Sequence, residues 1–138
     1  RRRPEARWRK DPKDIPGLAK LQRQLLASAF KALRPGGALV YSTCSPVLAE
    51  TRDVVRDFLA AHGRAKLLDA GEVANRVAIR DVSARDGMVQ LWADADCTDG
   101  MFIALIAKEP DAEPSAAAKE TAKEKSAEAG NAGGAVGD

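Results

Sequence analysis

The chain has 138 residues, a formal net charge of +2, two cysteines and one histidine. This length supplies one modest domain. No apolar run approaches the roughly 18 residues of a membrane span, no signal peptide precedes the first helix, and two cysteines with one histidine cannot complete a zinc site. We therefore expect a cytoplasmic monomer with reduced thiols, no bound metal and no membrane segment.

Charge and aromatic content divide the chain into two regions. Residues 109–138 hold seven acidic residues and three lysines, a net −4, so residues 1–108 carry +6 and also all six aromatic residues. A segment of Ala, Glu, Lys, Gly and Ser buries too little apolar surface to offset its ordering entropy. The sequence predicts a folded unit over residues 1–108 and a disordered tail over residues 109–138.

The first predicted element is an amphipathic helix over residues 17–33. It follows a basic segment, residues 1–10, and a turn-rich stretch, residues 11–17. Apolar side chains recur at spacings of three and four, which is the pattern of one buried helix face. The predicted buried positions are Leu18, Leu21, Leu25, Leu26, Ala29 and Leu33. Pro35-Gly36-Gly37 ends the helix.

A strand and a second helix follow. Residues 37–42 are continuously apolar around Leu39 and Val40, which favours an interior strand of a parallel sheet. After Cys44, the sequence predicts that Ser45 is the N-cap and Pro46 the first residue of a helix. The apolar spacing carries this helix to Ala61, and we expect His62 to act as its C-cap or as a surface residue.

The remaining sequence predicts short strands over residues 65–69, 89–92 and 101–107, with a weak strand signal at 77–79 in an otherwise irregular stretch. The last two strands suggest a terminal hairpin. Helix, strand, helix, strand, loop, strand is the order found in the second half of a doubly wound α/β sheet. Alone, this half leaves a sheet edge and a helix layer incomplete, and the first residue is not Met, so we expect a fragment of a longer domain.

Cys44 is the most reactive group that the pattern predicts. It follows a strand, and open α/β sheets bind ligands outside the carboxyl ends of their strands. At the N-terminus of a helix, a thiolate is stabilised by the helix dipole and by unpaired amides. Position alone supports a nucleophile and a buried structural cysteine equally.

The segments around Cys44 resemble one enzyme family, the bacterial Sun/Fmu-type ribosomal RNA cytosine-C5 methyltransferases of the Nop2/NSUN superfamily. The likeness covers residues 1–108 and corresponds to the C-terminal part of the catalytic domain. It is carried by Arg2-Arg3-Pro4-Glu5-x-Arg7-Trp8, Leu21-Gln22-Arg23-Gln24-Leu25-Leu26, Leu33-x-Pro35-Gly36-Gly37-x-Leu39-Val40-Tyr41-Ser42-Thr43-Cys44-Ser45 with Glu50, and Thr98-Asp99-Gly100-Met101-Phe102.

The resemblance implies a class I, Rossmann-like fold and methylation of cytosine C5 in RNA, with 16S (small-subunit) ribosomal RNA as the substrate. It makes Cys44 the nucleophile that forms a covalent adduct at C6. It also implies S-adenosyl-L-methionine as the methyl donor. The donor-binding residues and a second, product-releasing cysteine would lie upstream of Arg1, so the resemblance predicts that this fragment alone is inactive.

The basic N-terminal segment is the candidate RNA contact. Arg2, Arg3 and Arg7 can pair with phosphates and Trp8 can stack on a base. A solvated charged loop with Trp8 packed on the fold is the alternative. Cys97 is interpreted as structural, because no helix start or cationic cluster is near it in sequence.

Asp99 is interpreted either as a residue of the cleft or as a turn residue before the last strand. The chain departs from the family at Thr51, where relatives often carry Asn, and over residues 93–97, which lack a Pro-His segment.

Two other functions fit the residues. One is a non-catalytic RNA-binding relative, and the other is a class I methyltransferase with a small-molecule substrate in which Cys44 is incidental.

Overall fold

The structure, a computed structural model, describes residues 11–111. The predicted RNA contacts Arg2, Arg3, Arg7 and Trp8 lie outside the described residues. So does the predicted tail from residue 112 onward. The division at residue 108 therefore stays a prediction.

The described residues form three α-helices and five strands. The helices are α1 (Ile15–Ala32), α2 (Arg52–Ala61) and α3 (Ala70–Asn75). The strands are β1 (Ala38–Thr43), β2 (Ala65–Leu68), β3 (Ala84–Arg85), β4 (Met88–Leu91) and β5 (Met101–Lys108). Short 3-10 turns at Pro12–Asp14 and Leu48–Glu50 precede α1 and α2. The predicted helices and strands 17–33, 37–42, 65–69 and 101–107 are confirmed within a few residues.

The last strand, β5, is the centre of the sheet. β1 pairs along one side of it, from Ala38 opposite Ala107 to Thr43 opposite Phe102. β4 and β2 share its other side, and β3 continues the sheet beyond β4. The α/β class and the β4–β5 hairpin are confirmed. Every strand pair among the described residues is antiparallel, so the predicted parallel pairing is not observed there. β1 and β2 run in the same direction, but β5 inserts between them in the opposite direction.

The core lies between one face of β5 and the two long helices. Phe102, Ala104 and Ile106 alternate along β5 and are fully buried. Phe30 of α1 meets Phe58 of α2 edge to face, with ring centroids 5.2 Å apart. Aromatic pairs of this geometry add to the stabilisation that apolar burial supplies. These contacts fix α1 and α2 on one face of the sheet, next to the point where β1 ends.

The buried face of α1 differs from the predicted one. Ala19, Leu26 and Phe30 are buried, whereas Leu18, Leu21 and Leu25 are 42%, 50% and 60% exposed. The prediction that those three leucines lie in the core is wrong, because α1 packs on α2 and the sheet through the neighbouring face. The predicted interior position of the first strand is also not observed, since exposure alternates along β1 and Val40 is 62% exposed.

The stretch predicted to be irregular contains a helix and a hairpin. The Asp69 carboxylate accepts hydrogen bonds from the amides of Gly71 and Glu72 and starts α3. Asp86 and Gly87 have φ values of 56° and 74° and form the two-residue turn between β3 and β4. An Asp-Gly pair favours such a turn. The weak strand signal at 77–79 is wrong, and residues 77 and 79 are exposed.

His62 ends α2 as predicted. Its amide bonds the carbonyl of Leu59, and its ring nitrogen Nδ1 lies 2.9 Å from the carbonyl oxygen of Phe58. The imidazole also stacks on the Phe58 ring, with centroids 4.1 Å apart. These contacts give the histidine a capping and packing role.

Candidate active site

Cys44 lies one residue beyond the carboxyl end of β1, and its side chain is exposed. It opens into a cleft of about 460 Å³ between the start of α1 and the loop that follows β1. The cleft is lined by Asp11, Pro12, Asp14, Ile15, Leu18, Thr43, Cys44, Ser45, Pro46, Val47 and Glu50. Cys44 therefore does not belong to the buried core of the described residues.

No α-helix begins directly behind the thiol. The backbone from Ser45 to Val47 is non-helical, and α2 begins only at Arg52. The predicted helix start at Ser45 and Pro46 is wrong, because the backbone of Val47 is extended, with φ −79° and ψ 128°. Ser45 Oγ does accept a hydrogen bond from the Val47 amide at 3.2 Å, which is the contact of an N-cap, but no α-helix continues from it. The predicted stabilisation of a Cys44 thiolate by a helix dipole therefore lacks its helix.

The buried carboxylate of Glu50 organises this loop. Glu50 is 9% exposed. Its Oε1 accepts a hydrogen bond from Ser45 Oγ at 2.9 Å, and its Oε2 accepts one from Gln22 Nε2 of α1, also at 2.9 Å. The carboxylate thereby joins α1 to the residue that follows Cys44.

Residues on both sides of Cys44 are held by hydrogen bonds. The Ser45 amide donates to Thr43 Oγ1 at 3.1 Å, across Cys44. Ser45 Oγ accepts from the Val47 amide while it donates to Glu50. Cys44 therefore projects from a short loop in which both flanking residues, Thr43 and Ser45, take part in hydrogen bonds.

Tyr41 extends the network below the cleft. Its hydroxyl donates to the Glu50 carbonyl oxygen at 2.8 Å. Partial burial is the main cause that raises the pKa of Tyr41 to about 12, and the nearby Glu50 carboxylate is the second cause. Both effects disfavour the negatively charged phenolate. Tyr41 therefore remains a neutral hydrogen-bond donor across the physiological range.

The described lining of the cleft is acidic. Asp11, Asp14 and Glu50 contribute three carboxylates, and none of the described lining residues is cationic. Asp11 and Asp14 also cap the 3-10 turn before α1. The basic segment, residues 1–10, directly precedes Asp11 in the sequence.

Cys97 and Asp99 lie elsewhere. The Cys97 thiol is free and exposed, with Arg80 Nη1 3.9 Å from its sulfur. Arg80 is a single cation 17 positions away in sequence, so the interpretation of Cys97 as structural stays a prediction. Asp99 lies in the loop before β5 and does not line the Cys44 cleft. Residues 11–111 contain no cluster of three or more His, Cys, Asp or Glu that could hold a metal.

Four residues of the site, Gln22, Tyr41, Ser45 and Glu50, are found in the sequence only as parts of motifs, and their contacts at the site are not predicted from it. Their contacts reach across as many as 28 positions of sequence. One signal was available. Gln22 lies four residues before Leu26 and eight before Phe30, so it is a polar residue on the buried face of α1.

The comparisons with known proteins assign the chain to a family. Residues 1–107 match the family described as 16S rRNA methyltransferase RsmB/F. The chain belongs to this family, and the resemblance based on the motifs is confirmed. The chain thus corresponds to part of a protein of this family.

Curated relatives match along most of the chain. A Mycobacterium tuberculosis protein whose name proposes a methyltransferase is 47% identical over 109 residues, 77% of this chain and 22% of the relative. Ribosomal RNA small subunit methyltransferase B of Shewanella oneidensis is 36% identical over 108 residues, 78% of this chain and 23% of the relative. The chain thus spans about a fifth of the length of these relatives.

Two solved structures share the fold. The crystal structure of PH0851 is 35% identical to this chain and has a TM-score of 0.66 with it. The match covers 76% of this chain and 22% of the PH0851 chain. NSun6 from Pyrococcus horikoshii, solved with SFG, matches 74% of this chain and 25% of its own at 30% identity, with a TM-score of 0.60. Within residues 11–111, no helix has the length and apolar character needed to cross a membrane.

Proposed function

We propose that this chain is the C-terminal part of the catalytic domain of an RNA cytosine-C5 methyltransferase that acts on 16S ribosomal RNA. Cys44 is the nucleophile in this proposal. The observation that carries it is the exposed thiol of the Thr-Cys-Ser motif at the carboxyl end of β1, in a cleft of about 460 Å³. Ligand pockets have volumes of about 300–1,000 Å³, so a single base fits a cleft of this size.

The reaction needs a thiolate because C5 of cytosine is a poor nucleophile. When the Cys44 sulfur attacks C6, an S–C6 bond forms and the electrons of the C5–C6 double bond move toward C5. C5 then has enamine character and can accept an electrophilic methyl group. Loss of the C5 proton returns its electron pair to the ring, and the C6–S bond breaks to release the thiolate.

S-adenosyl-L-methionine is the methyl donor in this proposal, supported by the methyltransferase family and by SFG, an analogue of that donor, in the NSun6 structure. Residues 11–111 do not fit a site for it. Gly36 and Gly37 belong to a turn after α1, where the Gly37 amide bonds the Arg34 carbonyl, and not to the glycine-rich loop on which the resemblance places the donor site. The donor site is therefore placed outside the described residues.

RNA binding is assigned to the basic segment, with Arg2, Arg3 and Arg7 on phosphates and Trp8 stacked on a base. The described lining residues of the cleft supply no cation for the RNA backbone, which supports the assignment of the phosphate contacts to the basic segment. We place the protein in the cytoplasm, where ribosomal RNA is modified in bacteria, and expect it to act as a monomer.

The test is to incubate the intact protein with unmethylated 16S ribosomal RNA and S-adenosyl-L-methionine, then to digest the RNA and identify methylated nucleosides by mass spectrometry. The expected product is 5-methylcytidine, and Cys44→Ala should abolish it. Cys97→Ala is the matched control, because Cys97 is the other exposed free thiol. Methylation that survives in Cys44→Ala, or that occurs at another atom, would contradict the proposal.

A further inference from the structure

The loop that carries Cys44 is tied to α1 through one buried side chain. The two carboxylate oxygens of Glu50 divide their partners, one facing Ser45 beside the thiol and the other facing Gln22 on the helix. Both hydrogen bonds are 2.9 Å long. The two walls of the cleft are therefore linked directly behind Cys44.

The same carboxylate does not open freely to solvent. Glu50 is 9% exposed, and its own carbonyl oxygen is held by the Tyr41 hydroxyl at 2.8 Å. The next residue, Thr51, is 1% exposed and its Oγ1 donates to the Val47 carbonyl oxygen at 2.9 Å. The side chains of Glu50 and Thr51 therefore hydrogen-bond directly to the loop from Thr43 to Val47, and the Tyr41 hydroxyl holds the backbone of Glu50.

Gln22 retains an unused acceptor beside Glu50. Its Oε1 is buried and has no hydrogen-bond partner among the described residues, while its Nε2 donates to Glu50. If the Gln22 amide turned over, Oε1 would face position 50 and could accept a hydrogen bond from a donor there. A glutamine at that position would supply that donor and keep an oxygen for Ser45.

We propose that Glu50 is a positioning residue for Cys44. It fixes Ser45 and, through Ser45, the direction in which the thiol enters the cleft. This role rests on the proposed function, because it concerns the approach of sulfur to C6. Hydrogen-bond geometry carries the effect, so an uncharged side chain that keeps both bonds should serve nearly as well as the carboxylate.

The functional test measures the single-turnover rate of covalent adduct formation with RNA containing 5-fluorocytidine, using the intact protein. Ser45→Ala and Glu50→Leu should slow the reaction by about 10²-fold, as expected when a reacting group is misplaced by about 1 Å. RNA affinity should stay unchanged. Glu50→Gln should recover most of the rate, because the Gln22 amide can reorient.

A second measurement is independent of the reaction. Amide hydrogen exchange should accelerate in Ser45→Ala and Glu50→Leu at residues 44–47, whereas exchange in β5 should stay at the wild-type rate. Asp57→Asn is the matched control, since it removes a carboxylate that is exposed and pairs with Arg23 at 3.0 Å. This control should change neither exchange nor adduct formation. Ser45→Ala keeps the test informative if Glu50→Leu does not fold.

Two results would overturn the inference. One is an unchanged adduct rate with unchanged exchange at residues 44–47 in Ser45→Ala. The other is a Glu50→Gln variant as slow as Glu50→Leu, which would assign the effect to charge. Failure of the proposed function is distinguishable, because it would leave wild-type protein without an adduct while the exchange result still stood.

Discussion

Tyr41 and Glu50 are in contact directly below the cleft, and this contact makes the stability of the fold depend on pH. The Tyr41 hydroxyl donates to the Glu50 carbonyl oxygen, and burial together with the Glu50 carboxylate raises the pKa of Tyr41 to about 12. An unfolded tyrosine has a pKa of about 10. The folded chain therefore holds this proton more tightly than the unfolded chain does.

The first prediction concerns the alkaline range. Because the folded pKa of Tyr41 is the higher one, its stabilising contribution is present below about pH 10 and disappears as the pH rises through about 12. A stopped-flow pH jump on this chain, in which Tyr41 is the single tyrosine, should show phenolate absorbance with a midpoint near 12. Tyr41→Phe supplies the baseline. A midpoint at the ordinary value of about 10 would contradict the burial of this hydroxyl.

At the residue scale, the sequence indicates Cys44 as the candidate nucleophile but does not predict the groups that hold its loop. The Thr-Cys-Ser motif after an apolar strand is a local pattern, so it can be read from sequence. The Gln22–Glu50 bond joins residues that are 28 positions apart, and no local pattern contains it. Ser45 shows where a local rule stops. Its hydroxyl accepts a hydrogen bond from the Val47 amide, as an N-cap does, but Val47 is extended and α2 begins only at Arg52.

The C-terminal end of α1 is fastened by a residue of another element. Lys108, at the end of β5, donates from Nζ to the carbonyl oxygens of Leu33 at 2.7 Å and Phe30 at 3.1 Å. The same ammonium lies 5.2 Å from the centre of the Phe30 ring. A cation at the carbonyl end of a helix satisfies unpaired acceptors and opposes the helix dipole.

Lys108→Met should therefore destabilise the fold. Two strong charged hydrogen bonds and a cation–π contact are lost, and the exposed end of α1 must recover water, for an expected loss of about 1–3 kcal/mol in the free energy of unfolding. Urea denaturation of the intact protein measures this. Lys66→Met is the matched control, because Lys66 is two-thirds exposed and, within residues 11–111, forms its ion pair with Glu109 at the surface. Equal losses in the two variants would contradict the capping role of Lys108.

The sequence predicts the presence of the helices and strands better than it predicts which of their faces is buried. The spacing of leucines predicts α1, yet Leu18, Leu21 and Leu25 face outward because α2 covers the adjacent stripe. The apolar run of β5 predicts an interior strand, and Phe102 and Ile106 are fully buried. The position of β5 between β1 and β2 has no counterpart in local sequence, since pairing order is set by packing of the whole sheet.

The whole molecule presents an apolar surface along α1 and β1. Leu25 and Val40 line one groove between α1 and β1, and Leu18 and Leu21 are also exposed on α1. Among the described residues, β1 pairs only with β5. Extended apolar patches mark contact surfaces. The chain covers only about a fifth of its curated relatives. We therefore expect this surface to contact parts of the protein outside the described residues.

The isolated chain should lack methyl-donor binding. Residues 11–111 supply no glycine-rich donor loop, and Gly36 and Gly37 form a turn. Isothermal titration of the 138-residue chain with S-adenosyl-L-methionine should show no binding, and the chain alone should not methylate RNA. Circular dichroism is the control, since a folded chain must be present for the result to count. Saturable donor binding by this chain would contradict the placement of the donor site elsewhere.

The central claim is that the Cys44 sulfur bonds to cytosine C6. The most direct measurement is to incubate the intact protein with S-adenosyl-L-methionine and 16S ribosomal RNA containing 5-fluorocytidine, then to search for a denaturation-resistant adduct and locate it by peptide mass spectrometry. Fluorine at C5 cannot leave as a proton does, so the C6–S bond persists. We predict one adduct, on the peptide that contains Cys44, absent in Cys44→Ala and retained in Cys97→Ala. RNA binding without an adduct, or an adduct at another residue, would contradict the account.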